Sequence, residues 1–117
     1  MAAQFKFKLG DIYQAKFPFE EDEHQCKERA VFVWRFHDNR QEVLSSKITG
    51  SIGRSGWELV LQPSSHSGLT KQCAIRIDQT KYLSITSFLY PRGTLNAFEI
   101  AAIQRVFMKY INCDEAS

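Results

Sequence analysis

At 117 residues with a formal net charge of +2, from 15 basic and 13 acidic side chains, the chain has the length of one domain. It is too short for two cores with a cleft between them, and too mildly charged to hold nucleic acid by bulk charge. Its composition, 44% hydrophobic and 24% charged with 9 Phe, is that of a chain that folds by itself.

No stretch approaches the roughly 20 apolar residues of a membrane span, and Met1-Ala2-Ala3-Gln4-Phe5-Lys6 lacks a long apolar core, so a cytoplasmic protein is expected. Cys26, Cys73 and Cys113 are odd in number and far apart. They make neither a disulfide framework nor a CxxC zinc knuckle, and reduced thiols are expected. The carboxylates cluster at Glu20-Glu21-Asp22-Glu23 and at Asp114-Glu115. That leaves Lys71, Arg76, Lys81, Arg92, Arg105 and Lys109 less matched in the second half, as a local basic surface or as a solvated face.

In chain order, Gly10-Asp11 precedes Ile12-Tyr13-Gln14-Ala15-Lys16-Phe17, which reads as a first strand ended by Pro18. Phe19 to Lys27 is acidic, without period, and reads as a loop able to stand over a site. Arg29 to Phe36 is apolar enough to be buried on both faces. His37-Asp38-Asn39-Arg40 supplies a turn, and Glu42 to Thr49 returns as the hairpin partner. A Gly- and Ser-rich connection from Gly50 to Gly56 leads to a strand at Trp57–Leu61. After a turn over Pro63–Gly68, strands are expected at Cys73–Asp78 and again at Tyr82–Ile85. Short strands joined by turns predict a small barrel or sandwich. At Asn96 the period changes: Asn96 with Glu99 makes a capping box, and Ile100, Ile103, Phe107, Tyr110 and Ile111 recur at helical spacing. The fold class is mainly β with a C-terminal helix.

The period of two places Arg76 and Asp78 on one face and Ile75 and Ile77 on the other. The charged pair is then either a surface salt bridge, worth under ~1 kcal/mol, or part of a site. Arg29 opens the most apolar strand and Thr49 closes its partner, so the hairpin brings both to one end of the sheet. A guanidinium fork suits phosphate, and Thr49, Gly50 and Ser51 beside it offer hydroxyl and backbone donors. The alternative is that Arg29 caps the acidic loop through Glu28 or Glu23. Three scattered His and three scattered Cys show no metal spacing, so no metal is expected.

Several of these strings, in this order, resemble the MazF/PemK family of toxins: Gly10-Asp11-Ile12-Tyr13, Phe17-Pro18-Phe19, Lys27-Glu28-Arg29, Ile48-Thr49-Gly50-Ser51, Gly68-Leu69, Ile75-Arg76-Ile77-Asp78-Gln79 and Gly93-Thr94-Leu95. The match runs over nearly the whole chain. The resemblance implies an SH3-like small barrel of the MazF/PemK/CcdB type and a homodimer without cofactor, inhibited by a cognate antitoxin. It also implies metal-independent cleavage of single-stranded RNA to a 2′,3′-cyclic phosphate and a 5′-OH. Family roles fall on Arg29 and Thr49 at the phosphate and on Arg76 and Asp78. His24 stands where several members carry Glu and is a candidate acid or base. Lys27, Gly50 and Ser51 border the expected RNA path, with Phe17, Phe19 and Trp57 as candidate stacking surfaces. Ala30 replaces the usual Pro after the arginine, and Gly50 interrupts the usual Thr-Ser pair. The rival class is a non-enzymatic toxin of the same barrel acting on a protein such as gyrase, or a neutralised paralogue.

Overall fold

The computed structural model describes residues 5–116, with side chains through 113; Met1–Gln4 and the side chains of the acidic pair Asp114-Glu115 lie outside the described residues. Six strands, β1 (Asp11–Pro18), β2 (Cys26–His37), β3 (Glu42–Thr49), β4 (Glu58–Leu61), β5 (Cys73–Ser84) and β6 (Phe88–Thr94), precede one helix, α1 (Ala97–Ala116). They form a single antiparallel sheet in the order β4-β5-β3-β2-β1-β6. The mainly-β fold with a C-terminal helix is as the sequence predicts.

Strict alternation divides the sheet into two apolar faces. Ile12, Ala30, Phe32, Ile48, Ile75 and Ile77 face α1, whose Ile103 is fully buried among them. Tyr13, Ala15, Phe17, Val31, Val33 and Val43 line the other face, where Leu83 and Phe88 close over them. The run Ala30-Val31-Phe32-Val33 is therefore buried on both sides, as its continuous apolar character predicts. Asn96 accepts from the Glu99 N–H at 2.8 Å and donates its own N–H to the Glu99 carboxylate at 3.0 Å, so the capping box starts α1. Ile111 departs from the expected stripe and is exposed, whereas Val106 takes a place against the core.

One strand expectation is corrected. Cys73–Asp78 and Tyr82–Ile85 belong to one long strand, interrupted by an irregularity where Ser46 pairs with Thr80 and the next residue, Lys47, pairs with Arg76. Ile77, Asp78 and Gln79 are the residues set out of register, and such a bulge bends a strand without ending it. A strand with no counterpart in the sequence reading is β6, which runs through Pro91 and Gly93. It tolerates both because it is an edge strand, paired irregularly with β1 alone.

The two outer strands, β4 and β6, are joined by the connection between β4 and β5. There Ser64 bridges Leu69, and the Thr94 N–H donates to the His66 carbonyl at 2.8 Å. Gly68 has a positive φ of 73°, and a Cβ on it would overlap the Arg92 carbonyl; a Cβ on Gly93 would overlap that of His66. Both glycines are needed because two backbones cross there. This seam closes the barrel, and Leu69 and Arg92 of the seam border the cleft that opens at the start of β2 and the end of β3.

Candidate functional site

Two adjoining cavities of about 290 and 580 Å³ occupy that open end and share Lys27, Arg29, Thr49, Gly50 and Lys71. Together they are lined by seven basic side chains against three carboxylates, an excess of four charges where the whole chain carries two. The positive field that bulk composition hides is concentrated in this cleft.

Arg29 and Thr49 meet here because the β2–β3 hairpin ends both strands at the same level. The Arg29 guanidinium donates through Nη1 to the Ile48 carbonyl at 3.4 Å. Burial lowers its pKa, and the Glu20 carboxylate works against that shift. The carboxylate beside Arg29 is thus Glu20, in place of the expected Glu28 or Glu23. The Thr49 hydroxyl accepts the Ser51 N–H at 3.1 Å, so its own proton is free for an incoming anion. Ser51 lines the larger cavity, which answers the missing hydroxyl at Gly50.

Directly across from Lys47 on β5 stands Arg76, only 8% exposed. The bulge at Ile77–Gln79 turns Asp78 back onto it, with Nε to Oδ1 at 3.0 Å and Nη2 to Oδ2 at 2.8 Å. This bidentate pair fixes the guanidinium plane and raises the Arg76 pKa, chiefly through the Asp78 hydrogen bonds. Burial pushes the Asp78 carboxyl up, but the hydrogen bonds and charge of Arg76, with help from Ser55, outweigh it and hold the group below its usual range. Asp78 lines neither cavity, so it positions Arg76 from behind. The charged pair is buried more deeply than a displayed surface bridge.

Nη1 of Arg76 reaches forward to Glu20 Oε1 at 3.3 Å, and Lys47 Nζ meets the same oxygen at 3.4 Å. One carboxylate from the acidic loop therefore sits in a nest of Arg29, Lys47 and Arg76. Neither Glu20 nor Lys47 was expected as a site residue. Lys47 precedes Thr49 by two on a strand, a spacing that placed it on the same face, whereas Glu20 is brought in by the fold of its loop. Lys71 and Arg92, which composition marks only as unmatched basic residues, also line the cleft.

Three other expectations change. Phe17 is 1% exposed, packed in the core with Lys81 over its ring at 5.6 Å, and offers no face for stacking. Trp57 packs under α1, edge-on to Tyr110 at 5.3 Å, and lines neither cavity. Phe19 alone of the three lines the cleft. His24 is exposed on the β1–β2 connection, its N–H bonded to Asp22 at 3.0 Å, and it too lines neither cavity. Lys27 is exposed at the rim of both. Cys26 and Cys113 are exposed free thiols, and Cys73 is buried. Among the described residues, no group of three His, Cys, Asp or Glu gathers as metal ligands would, and no helix is long and apolar enough to cross a membrane.

The six-stranded antiparallel sheet with one C-terminal helix matches the MazF-like fold. No family model matches the sequence, nor does any curated protein. Among solved structures, the chain is similar to the Mycobacterium tuberculosis toxin MazF-mt6, with a TM-score of 0.68 and 17% identity over 87% of this chain and 96% of that one. At that identity the likeness establishes the fold.

Proposed function

We propose that the chain is a single toxin domain of a toxin–antitoxin pair that cuts single-stranded RNA in this cleft, without a metal. The observation that carries the reading is the nest of Arg29, Lys47 and Arg76 beside the Thr49 hydroxyl, partly filled by one carboxylate. It suits a phosphodiester better than any neutral ligand. In this reading the ribose 2′-OH attacks the adjacent phosphorus, and the leaving group is the 5′-oxygen of the next nucleotide. The products are a 2′,3′-cyclic phosphate and a 5′-OH.

Charge develops on the non-bridging oxygens as the phosphorane forms, and preorganised donors facing those oxygens stabilise it. Arg76, locked by Asp78, and Arg29, anchored on the Ile48 carbonyl, are such donors; Thr49 adds a hydroxyl and Ser51 a neighbouring one. Neither arginine releases a proton readily, so both act by charge and hydrogen bonding. Phe19 is placed to stack on a base at the cleft edge, and Lys27, Arg54 and Lys71 to follow the backbone. A second copy of the chain and an antitoxin complete the assembly in the cytoplasm, where exposed apolar side chains such as Tyr90, Phe98 and Met108 are available for burial.

The test is incubation of purified protein with a long RNA of mixed sequence in excess EDTA. Discrete fragments with 5′-OH ends are expected, and Arg29→Ala slows their appearance about 10²- to 10³-fold, the effect of removing one preorganised donor. Intact RNA at high protein concentration sinks the reading and favours a poison of a protein target.

A further inference from the structure

We propose that Lys47 and Glu20 are the acid–base couple of the cleft, Glu20 taking the proton of the 2′-hydroxyl and Lys47 supplying one to the departing 5′-oxygen. The assignment rests on the ribonuclease reading above and adds the proton transfers that its arginines leave unassigned.

Three observations converge on the pair. Lys47 is the one cation among the three of the nest able to give up a proton within the pH range of a working enzyme, since a guanidinium holds its own far more tightly. Its side chain, 14% exposed, stands in the cleft beside its cross-strand partner Arg76 and one alternation from Thr49, next to the place where the phosphate oxygens must lie. Burial, and the charges of Arg29 from β2 and Arg76 from β5, loosen its proton below the usual lysine range, against the pull of Glu20 from the β1–β2 connection. Lys27, Arg54 and Lys71 line the same cavity and add positive charge around it, with Glu21 the one further carboxylate on its wall.

Glu20 is the carboxylate at the centre of the nest. Both of its cations bind Oε1, and Oε2 is the oxygen left to take a proton. Asp78 is unsuited to that task, because both of its oxygens are engaged by Arg76, which also holds its carboxyl in the ionised form.

The step balances without any further reactant. The 2′-oxygen forms its bond to phosphorus as its proton passes to Glu20, and the bond from phosphorus to the 5′-oxygen breaks as a proton passes to that oxygen from Lys47 Nζ. The couple is left as a carboxylic acid and an amine 3.4 Å apart, and a proton passed from one to the other restores both.

The experiment compares ordinary RNA with RNA carrying sulfur in place of the 5′-oxygen at one cleaved linkage, where a thiolate departs without needing a proton. Lys47→Arg, which keeps the charge, is expected to slow the ordinary substrate about 10²-fold or more while the sulfur-bridged one stays within about threefold of wild type. Glu20→Gln is expected to slow both alike, since both need a base. The wild-type protein alone gives a second readout: its rate on ordinary RNA falls on the alkaline side as Lys47 loses its proton, and this fall is absent with the sulfur-bridged substrate. A Lys47→Arg protein that cuts both substrates at the wild-type rate, or loses both equally, overturns the assignment and leaves the ribonuclease reading standing. Wild-type protein that cuts neither substrate overturns both.

Discussion

At the seam, the β4–β5 connection meets β6 by close approach of backbone: the Thr94 N–H donates to the His66 carbonyl, the Arg92 side chain donates to the Gly68 carbonyl at 2.8 Å, and two glycines leave no room for a Cβ. At the cleft, the ionic contacts are between side chains, and the backbone at Gly50 has space. A Cβ on Gly50 would meet only the tip of the Lys71 side chain, Cε and Nζ, at 3.6 Å. The seam is set chiefly by shape, with Arg92 reaching from it into the cleft, while the cleft is set chiefly by charge. Substitutions at the first should therefore appear in stability, and substitutions at the second in binding and turnover.

The sharpest way to break this contrast is Gly93→Ala. Its methyl must displace the crossing backbone, so a loss of about 3 kcal/mol or more is expected in urea denaturation. A variant within about 1 kcal/mol of wild type would mean that the seam is looser than its geometry shows. Asp78→Asn tests the one place where the cleft also carries stability, since it leaves the nearly buried Arg76 without its bidentate partner. About 2 kcal/mol is expected at neutral pH. The sign of the pH dependence follows from the direction of the shift. A carboxyl held low in the folded state stabilises at pH above its unfolded value, roughly 4, and that contribution is lost as pH falls through the folded value. Wild type should thus lose stability relative to Asp78→Asn on acidification, and parallel acid-denaturation curves would contradict the pairing.

Gly50→Ala should change stability by no more than about 0.5 kcal/mol, because the methyl makes only an ordinary contact with the flexible tip of Lys71. A cost above that would show that the cleft backbone is as tightly held as the seam. Smallest of all is His24→Ala, which should leave RNA cleavage within about twofold of wild type, since a group outside the cleft makes no contact with reacting atoms. A loss approaching that of Arg29→Ala would return His24 to the chemistry.

Much of this contrast is legible in the amino-acid order. The β2 run is continuous because both sheet faces are buried, and the hairpin that joins Arg29 to Thr49 follows from one turn between two strands. Gly68 and Gly93 stand out as resemblance signals, although only the crossing of backbones shows what they do. Phe17 shares the parity of Tyr13 and Ala15, so its burial was open to the same alternation that predicts β1. What stays hidden is what depends on register and loop placement. Pro91 and Gly93 mask β6, because breakers are tolerated on an edge that no local pattern reveals. The bulge at Ile77–Gln79 makes one strand look like two, and the Arg76 of the expected displayed pair is buried with Asp78 half-buried beside it. Glu20 lies in an acidic run that reads as solvated loop, and only the folding back of that loop makes it the centre of the nest.

The central claim is that the cleft promotes attack by a ribose 2′-hydroxyl on the adjacent phosphate. The most direct measurement takes one RNA with a mapped cleavage site and replaces the single ribose 5′ to that linkage by 2′-deoxyribose. Cleavage at that linkage should be abolished while other sites in the same molecule are still cut. Continued cleavage at the deoxy position at the original rate would contradict the account.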